Sequence, residues 1–252
     1  MSHLQDRVAL VTGAGQGVGL GIATALARAG ATVAMLGRTR SKLEAARATI
    51  REAGGRAEAY EIDLLDTEAI PAVVDAVAAD LGRLDVVVNN AYDGVTMPLA
   101  DMTLRHFTKG FVTGPFATFA VMQAARPHLV AAGGGSIVNL VTSAMVRWDP
   151  TTFGSYASAK AAVRSLTRTA AVEWAPDGIR VNCIAPHAMS PGLEWWTRTH
   201  PEQAAAFVAT IPMRRIGDPV ADIGRAVVSL VGPDFGYLTG ATVPLDGGQA
   251  HF

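Results

Sequence analysis

The chain has 252 residues and a formal net charge of −1 from 21 basic and 22 acidic side chains, without the basic excess of a nucleic-acid binder. Half of it is apolar and 17% is charged, and its single cysteine excludes an intramolecular disulfide framework or a multi-cysteine zinc site. Two stretches, 8–27 and 127–146, each run 20 residues without Asp, Glu, Lys or Arg, a length that would cross a bilayer. The first carries five glycines and the second a proline and a Gly-Gly-Gly, so both read as buried strands joined to turns and helices. The glycine-rich sequence behind the charged start is a poor apolar core for a secretory signal. A cytoplasmic protein without a membrane span is expected.

Short apolar runs alternate with longer helical segments. A strand is expected at 8–11, then a glycine turn and a helix to 29, and a second strand at 31–36. Ser41 stands three residues before Glu44, a capping-box spacing that opens a helix to about 53. A third strand at 57–62, a helix at 67–81 and a fourth strand at 85–89 follow. A long apolar helical segment starts near 101, with Pro115 and Pro127 as irregular points. Later strands are expected at 136–140, 179–184 and 241–245, with helices near 156–174 and 219–230. This alternation predicts an α/β fold, a Rossmann-like doubly wound parallel sheet with helices on both faces. No repeat or linker divides the chain, so 1–252 reads as a single domain. In such sheets ligands bind beyond the carboxyl ends of the strands.

The first strand runs into Thr12-Gly13-Ala14-Gly15-Gln16-Gly17-Val18-Gly19. Glycines there permit a tight turn and close approach of a pyrophosphate to the next helix. No G-x-G-x-x-G can be placed in this run, but T-G-x-x-x-G-x-G can. Asp63 follows the third strand, Asn89-Asn90-Ala91 ends the fourth, and Ser143, Tyr156 and Lys160 stand in an S-x12-Y-x3-K pattern. Pro186 follows the sixth strand, and Asp246-Gly247-Gly248 lies near the end.

Over residues 7–248 this series resembles the short-chain dehydrogenase/reductase family. The resemblance implies a nicotinamide dinucleotide held by Gly13, Gln16, Gly17, Val18, Gly19, Asp63, Leu64, Asn90, Ala91, Tyr156, Lys160 and Pro186. It also implies a small-molecule substrate and a homodimer or homotetramer. Gly37 ends the second strand where an acidic side chain would bind a ribose 2′-hydroxyl. Arg38 comes next, and a guanidinium in place of a carboxylate favours NADP(H) over NAD(H). Arg40 and Lys42 are expected to face solvent.

Tyr156 and Lys160 are four apart on a helix and share one face. An ammonium beside a phenol stabilises phenolate and lowers a pKa of about 10 toward the range useful for acid/base catalysis. By resemblance Tyr156 passes the proton, Lys160 also grips the nicotinamide ribose, and Ser143 holds the substrate oxygen. The expected reaction interconverts an alcohol and a carbonyl.

Three departures accompany the resemblance. The family carries a further catalytic asparagine in the central helix, supporting a water chain from the lysine. Here no asparagine lies between Asn90 and Asn139; residues 108–114 occupy that region, which reads as about one helical turn short. Tyr92 replaces a glycine beside the cofactor. His187 replaces the glycine after Pro186, and Pro191 a threonine, with Ser190 able to take over that contact. These changes keep open a nicotinamide-binding sensor or a non-redox lyase or isomerase as alternatives.

A substrate lid is expected at about 187–215, where Trp195 and Trp196 point to a largely apolar substrate. Tyr92, Trp148 and His187 can add to the pocket walls. The histidines do not cluster, so no metal is expected, and Cys183 reads as a buried thiol.

Overall fold

The computed structural model describes residues 4–147 and 152–249; Trp148 lies outside them. Apolar runs too continuous for a one-sided strand form the interior of a seven-stranded, all-parallel sheet. In chain order the first half comprises β1 (Val8–Thr12), α1 (Gly17–Arg28), β2 (Thr32–Gly37), α2 (Arg40–Glu52), β3 (Arg56–Glu61), α3 (Ile70–Leu81) and β4 (Val86–Asn89). The second half comprises α4 (Leu104–Phe111), α5 (Ala117–Ala131), β5 (Gly135–Leu140), α6 (Gly154–Trp174), β6 (Ile179–Pro186), α7 (Pro191–Thr199), α8 (Pro201–Thr210), α9 (Arg225–Val231) and β7 (Thr242–Leu245).

The sheet order is β3-β2-β1-β4-β5-β6-β7. The chain reverses its direction of travel between β1 and β4, which opens a crevice at their carboxyl ends. Register places Val11 beside both Met35 of β2 and Val88 of β4. One face packs Ile22, Leu26 and Val227 of α1 and α9 against Val11, Met35 and Val88. The other packs Val74, Val77, Val121, Met122 and Leu129 of α3 and α5 against Leu10, Val87 and Ile137. Both uncharged stretches therefore lie in and around the centre of the sheet. Among the described residues no helix is long and apolar enough to cross a membrane.

Several boundaries differ from expectation for local reasons. The Ser41–Glu44 capping box does not form: α2 starts at Arg40 behind Thr39, without a side-chain cap. Glu44 instead pairs with Arg40 at 2.5 Å and Arg47 at 2.7 Å, interactions available to a carboxylate between two helical arginines. The third helix begins at Ile70 rather than 67, with Pro71 in its first turn, where a missing N–H costs nothing. Pro127 sits within α5 without ending it. The irregularity lies instead at Val112–Phe116, a wide helical turn joining α4 to α5, in which Gly114 is non-helical (φ −93°, ψ −105°) and Pro115 follows. A second wide turn, Pro219–Gly224, leads into α9 and packs against α1.

Candidate active site

A cleft of about 540 Å³ opens at the carboxyl ends of β1, β2 and β4. Its floor is the glycine turn after β1. Gly13 and Gly17 have φ of +67° and +58°, conformations that L side chains resist. Space is equally decisive at Gly19, where a Cβ would lie 2.3 Å from Gly13 O and 2.4 Å from Asn90 Nδ2. Asn90 secures the turn by donating from Nδ2 to Thr12 O (2.9 Å) and Gly13 O (3.2 Å). Thr12 Oγ1 accepts from the amides of Asn90 and Ala91 at 3.0 and 3.1 Å. No side chain caps the start of α1, so its first-turn amides and helix dipole face the cleft, a setting suited to phosphate.

Gln16, Gly17, Val18, Gly19, Arg38, Asp63, Leu64, Asn90, Ala91, Tyr92 and Tyr156 all line this cleft. Pro186 ends β6 and, like Lys160 and Ser143, is not among the residues lining the cleft, while Ser190 and Pro191 border it. Two further charged groups, Lys42 and Asp93, also line it. Lys42 is exposed, as expected, and also borders the cleft, donating to Gln16 Oε1 at 2.8 Å. Its place in the first turn of α2 folds it back over the glycine turn, a proximity that chain spacing does not reveal. Arg40 instead makes its ion pair with Glu44. Asp93 accepts an ion pair from Arg38 across the cleft and another from Lys109 at 2.9 Å. Burial alone would raise the Asp93 carboxyl, but Lys109 and Arg38 outweigh it and hold it below its ordinary value.

Tyr156 and Lys160 lie on the first turns of α6. Lys160 is 3% exposed, and its Nζ donates to Leu140 O, at the end of β5, at 2.7 Å. Burial lowers its pKa from 10.5 to about 8, although Cys183 works against the shift. Tyr156 differs from expectation. Burial pushes its phenol above the ordinary value, the neighbouring Thr142 side chain draws it partly back, and Tyr92 adds to the rise. Lys160 Nζ lies 5.9 Å from the Tyr156 ring centre, over its face, and is committed to Leu140 O. Desolvation therefore governs the free phenol.

Ser143 opens a short turn, Ser143–Met145, directly after β5, capped by Thr142 Oγ1 accepting from Ala144 N at 3.2 Å. Thr142 is a further hydroxyl at Tyr156 that spacing alone did not single out.

Tyr92 lines the cleft next to Asn90 and Ala91. Its ring packs against Tyr156, with centres 4.8 Å apart, and lies in a seat bordered by Gly94, Gly110 and Gly114. Burial raises the Tyr92 phenol.

Within 187–215, the segment expected to form a substrate lid, lie α7 and α8. Ser190, expected to replace a lost threonine contact, caps α7 by accepting from Leu193 N at 3.3 Å. Trp196 packs within this element, edge-on to Phe207 and stacked on His200; Trp195 is 56% exposed. His187 lies edge-on to Phe207 with ring centres 5.3 Å apart, and burial lowers its pKa. Among the described residues no group of three or more His, Cys, Asp or Glu could hold a metal. Cys183 is buried and hydrogen-bonded to Thr167.

A family model described as enoyl-(acyl carrier protein) reductase matches residues 13–250. The chain is 36% identical over 262 residues to a 12α-hydroxysteroid dehydrogenase from a Clostridium species, spanning 99% of this chain and 98% of that one. Among solved structures, an NAD⁺-bound xylitol dehydrogenase superposes with a TM-score of 0.90 at 35% identity, covering 97% of this chain and 99% of its own. A 7α-hydroxysteroid dehydrogenase complexed with NADH and 7-oxo glycochenodeoxycholic acid superposes with a TM-score of 0.92 at 31% identity. That match covers 100% of this chain and 97% of the other.

Proposed function

The chain belongs to the short-chain dehydrogenase/reductase family of oxidoreductases, and from that premise we propose an NADP(H)-dependent interconversion of an alcohol and a carbonyl on a largely apolar small molecule. The observation that carries this reading is the placement of Tyr156 and Lys160. They share one face of α6 at the end of a glycine-floored cleft, with the lysine buried and anchored on Leu140 O at 2.7 Å. The bound nicotinamide supplies or accepts the hydride.

In the direction of reduction, Tyr156 Oη gives its proton to the carbonyl oxygen; in oxidation it receives the proton of the hydroxyl. Ser143 Oγ, on the turn after β5, holds that oxygen by a hydrogen bond. Lys160 places positive charge behind the Tyr156 ring and, as the family resemblance implies, would bind the nicotinamide ribose. A phenol raised by burial favours the protonated form, so free Tyr156 is poised as an acid. A cation arriving in the cleft would move it toward the phenolate that oxidation requires.

Gly13, Gln16, Gly17, Val18 and Gly19 would hold the pyrophosphate, and Asp63 and Leu64 the adenine. Asn90, Ala91 and Pro186 would border the nicotinamide half. Arg38, with Lys42 beside it, supports the choice of NADP(H). A 2′-phosphate would take the place of the Asp93 carboxylate at Arg38, while Lys109 keeps Asp93 paired. The substrate class rests on the lid of α7 and α8, with Trp195, Trp196 and His187 near its walls. Two of the relatives named above are hydroxysteroid dehydrogenases, which supports an apolar ring-bearing alcohol. Exposed Phe116 and Phe119 on the central helical segment support a homodimer or homotetramer, and the single cysteine suits a cytoplasmic setting.

The test is NADPH oxidation against a panel of ketones graded in size and polarity. Tyr156→Phe should lower kcat about 10²–10⁴-fold, the range for removing a positioned acid/base, while cofactor titration remains as in the parent. Arg38→Ala should weaken NADPH about 10-fold or more and NADH far less, as expected for loss of a charge-assisted phosphate contact. Equal weakening of both cofactors would defeat the NADP(H) assignment. Absence of turnover across the panel, with cofactor bound, would defeat the dehydrogenase reading.

A further inference from the structure

The Tyr92 ring occupies a seat assembled from three separate segments. A Cβ on Gly94, in the loop after β4, would lie 2.2 Å from Tyr92 Oη. One on Gly110, in α4, would lie 2.7 Å from the same atom, and one on Gly114, in the wide turn, 3.5 Å from the ring carbons. The first two distances forbid any side chain there without displacing the tyrosine. Thr113 ties the two ends of the seat together, Oγ1 accepting from Asp93 N at 3.0 Å and donating to Asp93 O at 3.1 Å.

Gly114 is the informative member of this set. It belongs to the stretch 108–114, where the family's asparagine is expected. A Cβ there would point at Ala159 Cβ, 3.5 Å away on α6 and next to Lys160. The Tyr92 ring carbons lie at the same distance from that position, which brings the ring toward the segment of α6 that carries Lys160.

The ring also meets the lysine directly. Lys160 Nζ lies 5.3 Å from the centre of Tyr92 and 5.9 Å from that of Tyr156, so the ammonium has an aromatic ring on two sides. Tyr92 Oη is buried beside the Ser155 hydroxyl, and neither atom makes a hydrogen bond of good geometry. The contact that Tyr92 offers the site is therefore its ring face, not its hydroxyl.

We propose that Tyr92 is a positioning residue for Lys160, its ring replacing the polar support of the absent asparagine by a cation–π contact that holds the ammonium against Leu140 O and the Tyr156 ring. Its role in turnover rests on the dehydrogenase reading; its effect on Lys160 does not. The titratable groups described around Lys160 are Tyr92 from the loop after β4, Tyr156 on its own helix and Cys183 from β6.

The first test follows Lys160 itself in the full chain without cofactor. The sequence holds only three lysines, at 42, 109 and 160, so carbon NMR of Cε-labelled lysine resolves each titration. Lys160 should titrate near 8 and keep that value in Tyr92→Phe, which retains the ring. In Tyr92→Leu it should fall by about one pH unit, the size of a desolvated cation–π contact. An unmoved titration in Tyr92→Leu overturns the proposal, whatever reaction the protein performs.

The second test uses turnover. Tyr92→Leu should lower kcat about 10-fold, with KM changing less, and the conservative Tyr92→Phe should recover most of that loss, as expected when the ring face and not the hydroxyl holds Lys160. A Tyr92→Phe variant as slow as Tyr92→Leu also overturns the proposal. If the parent chain turns over no carbonyl, the dehydrogenase reading fails while the Lys160 titration still decides the role of Tyr92.

Discussion

The two ends of the sheet treat a buried charge in opposite ways. At the amino end, just before β4, Asp85 is 2% exposed and every side of its carboxylate is met. Arg83 donates twice at 2.7 and 2.6 Å, Arg7 once at 2.6 Å, and the Val8 amide once at 2.9 Å. At the carboxyl end Lys160 is 3% exposed and has no carboxylate beside it among its described contacts, only Leu140 O and two aromatic faces. Beside it Tyr92 Oη and Ser155 Oγ are buried without a hydrogen bond of good geometry. Asp85 closes a fold; Lys160 keeps a charge without a counter-charge where a ligand and a proton have to be handled.

The largest effect should come from breaking the satisfied end. Asp85→Asn removes the charge that two arginines and a backbone amide were built around, and should lower stability by about 3 kcal/mol, typical of breaking a buried, hydrogen-bonded pair. Burial would raise the Asp85 carboxyl, but the bonds from Arg83, Val8 and Arg7 outweigh it and hold it below its ordinary 3.8. Its contribution is then complete above the ordinary carboxylate range and is lost as pH falls through the depressed value. Urea unfolding at pH 7 and pH 3 checks both points: the gap between parent and variant should narrow at the lower pH.

Lys160→Met should do the reverse. The buried lysine titrates at about 8 in the fold against an ordinary 10.5, so below pH 8 the folded state carries the whole cost of a charge it disfavours. Stability rises with pH between those two values, as the folded lysine gives up a proton that the unfolded one keeps. Methionine removes that cost and also the bond to Leu140 O, leaving a net gain of about 2 kcal/mol at pH 7. The gain should shrink above pH 8, and turnover should collapse. A variant less stable than the parent at pH 7 would show the carboxyl end to be as well satisfied as the amino end.

This contrast also separates what the amino-acid sequence reveals from what it hides. Strands buried on both faces must be apolar along their length, so β1, β2, β4 and β5 stand out as continuous runs, and the glycine turn stands out because only glycine fits at 13, 17 and 19. The pairing of Tyr156 with Lys160 is equally plain, since helical periodicity alone puts them on one face. Lys42 is exposed as expected, but its place beside the cleft is not legible, because the fold-back of α2 over the glycine turn is a tertiary fact. The seat of Tyr92 is hidden for the same reason: Gly94, Gly110 and Gly114 read as ordinary loop and helix glycines until three segments converge on one ring. The rise in the Tyr156 pKa was missed because spacing reports a neighbouring charge but not the burial that outweighs it.

The smallest effect offers the finest comparison. The backbone amide of His187 bonds Leu245 O at 2.9 Å and its Nδ1 is buried without a partner. Burial lowers its pKa from 6.5, against the pull of Asp246. An imidazole that resists protonation in the fold binds fewer protons than the unfolded chain once pH drops below its ordinary value, so stability declines there as pH falls. His187→Phe keeps the edge contact with Phe207 and removes both the unpartnered nitrogen and the titration. It should raise stability by about 1 kcal/mol at pH 7, the cost of leaving a buried polar atom unsatisfied, and by more at pH 5.5. Thermal unfolding at the two pH values measures this directly. A histidine variant insensitive to pH would mean that Nδ1 finds a partner in solution, and that this corner of the carboxyl end is built like Asp85 rather than like Lys160.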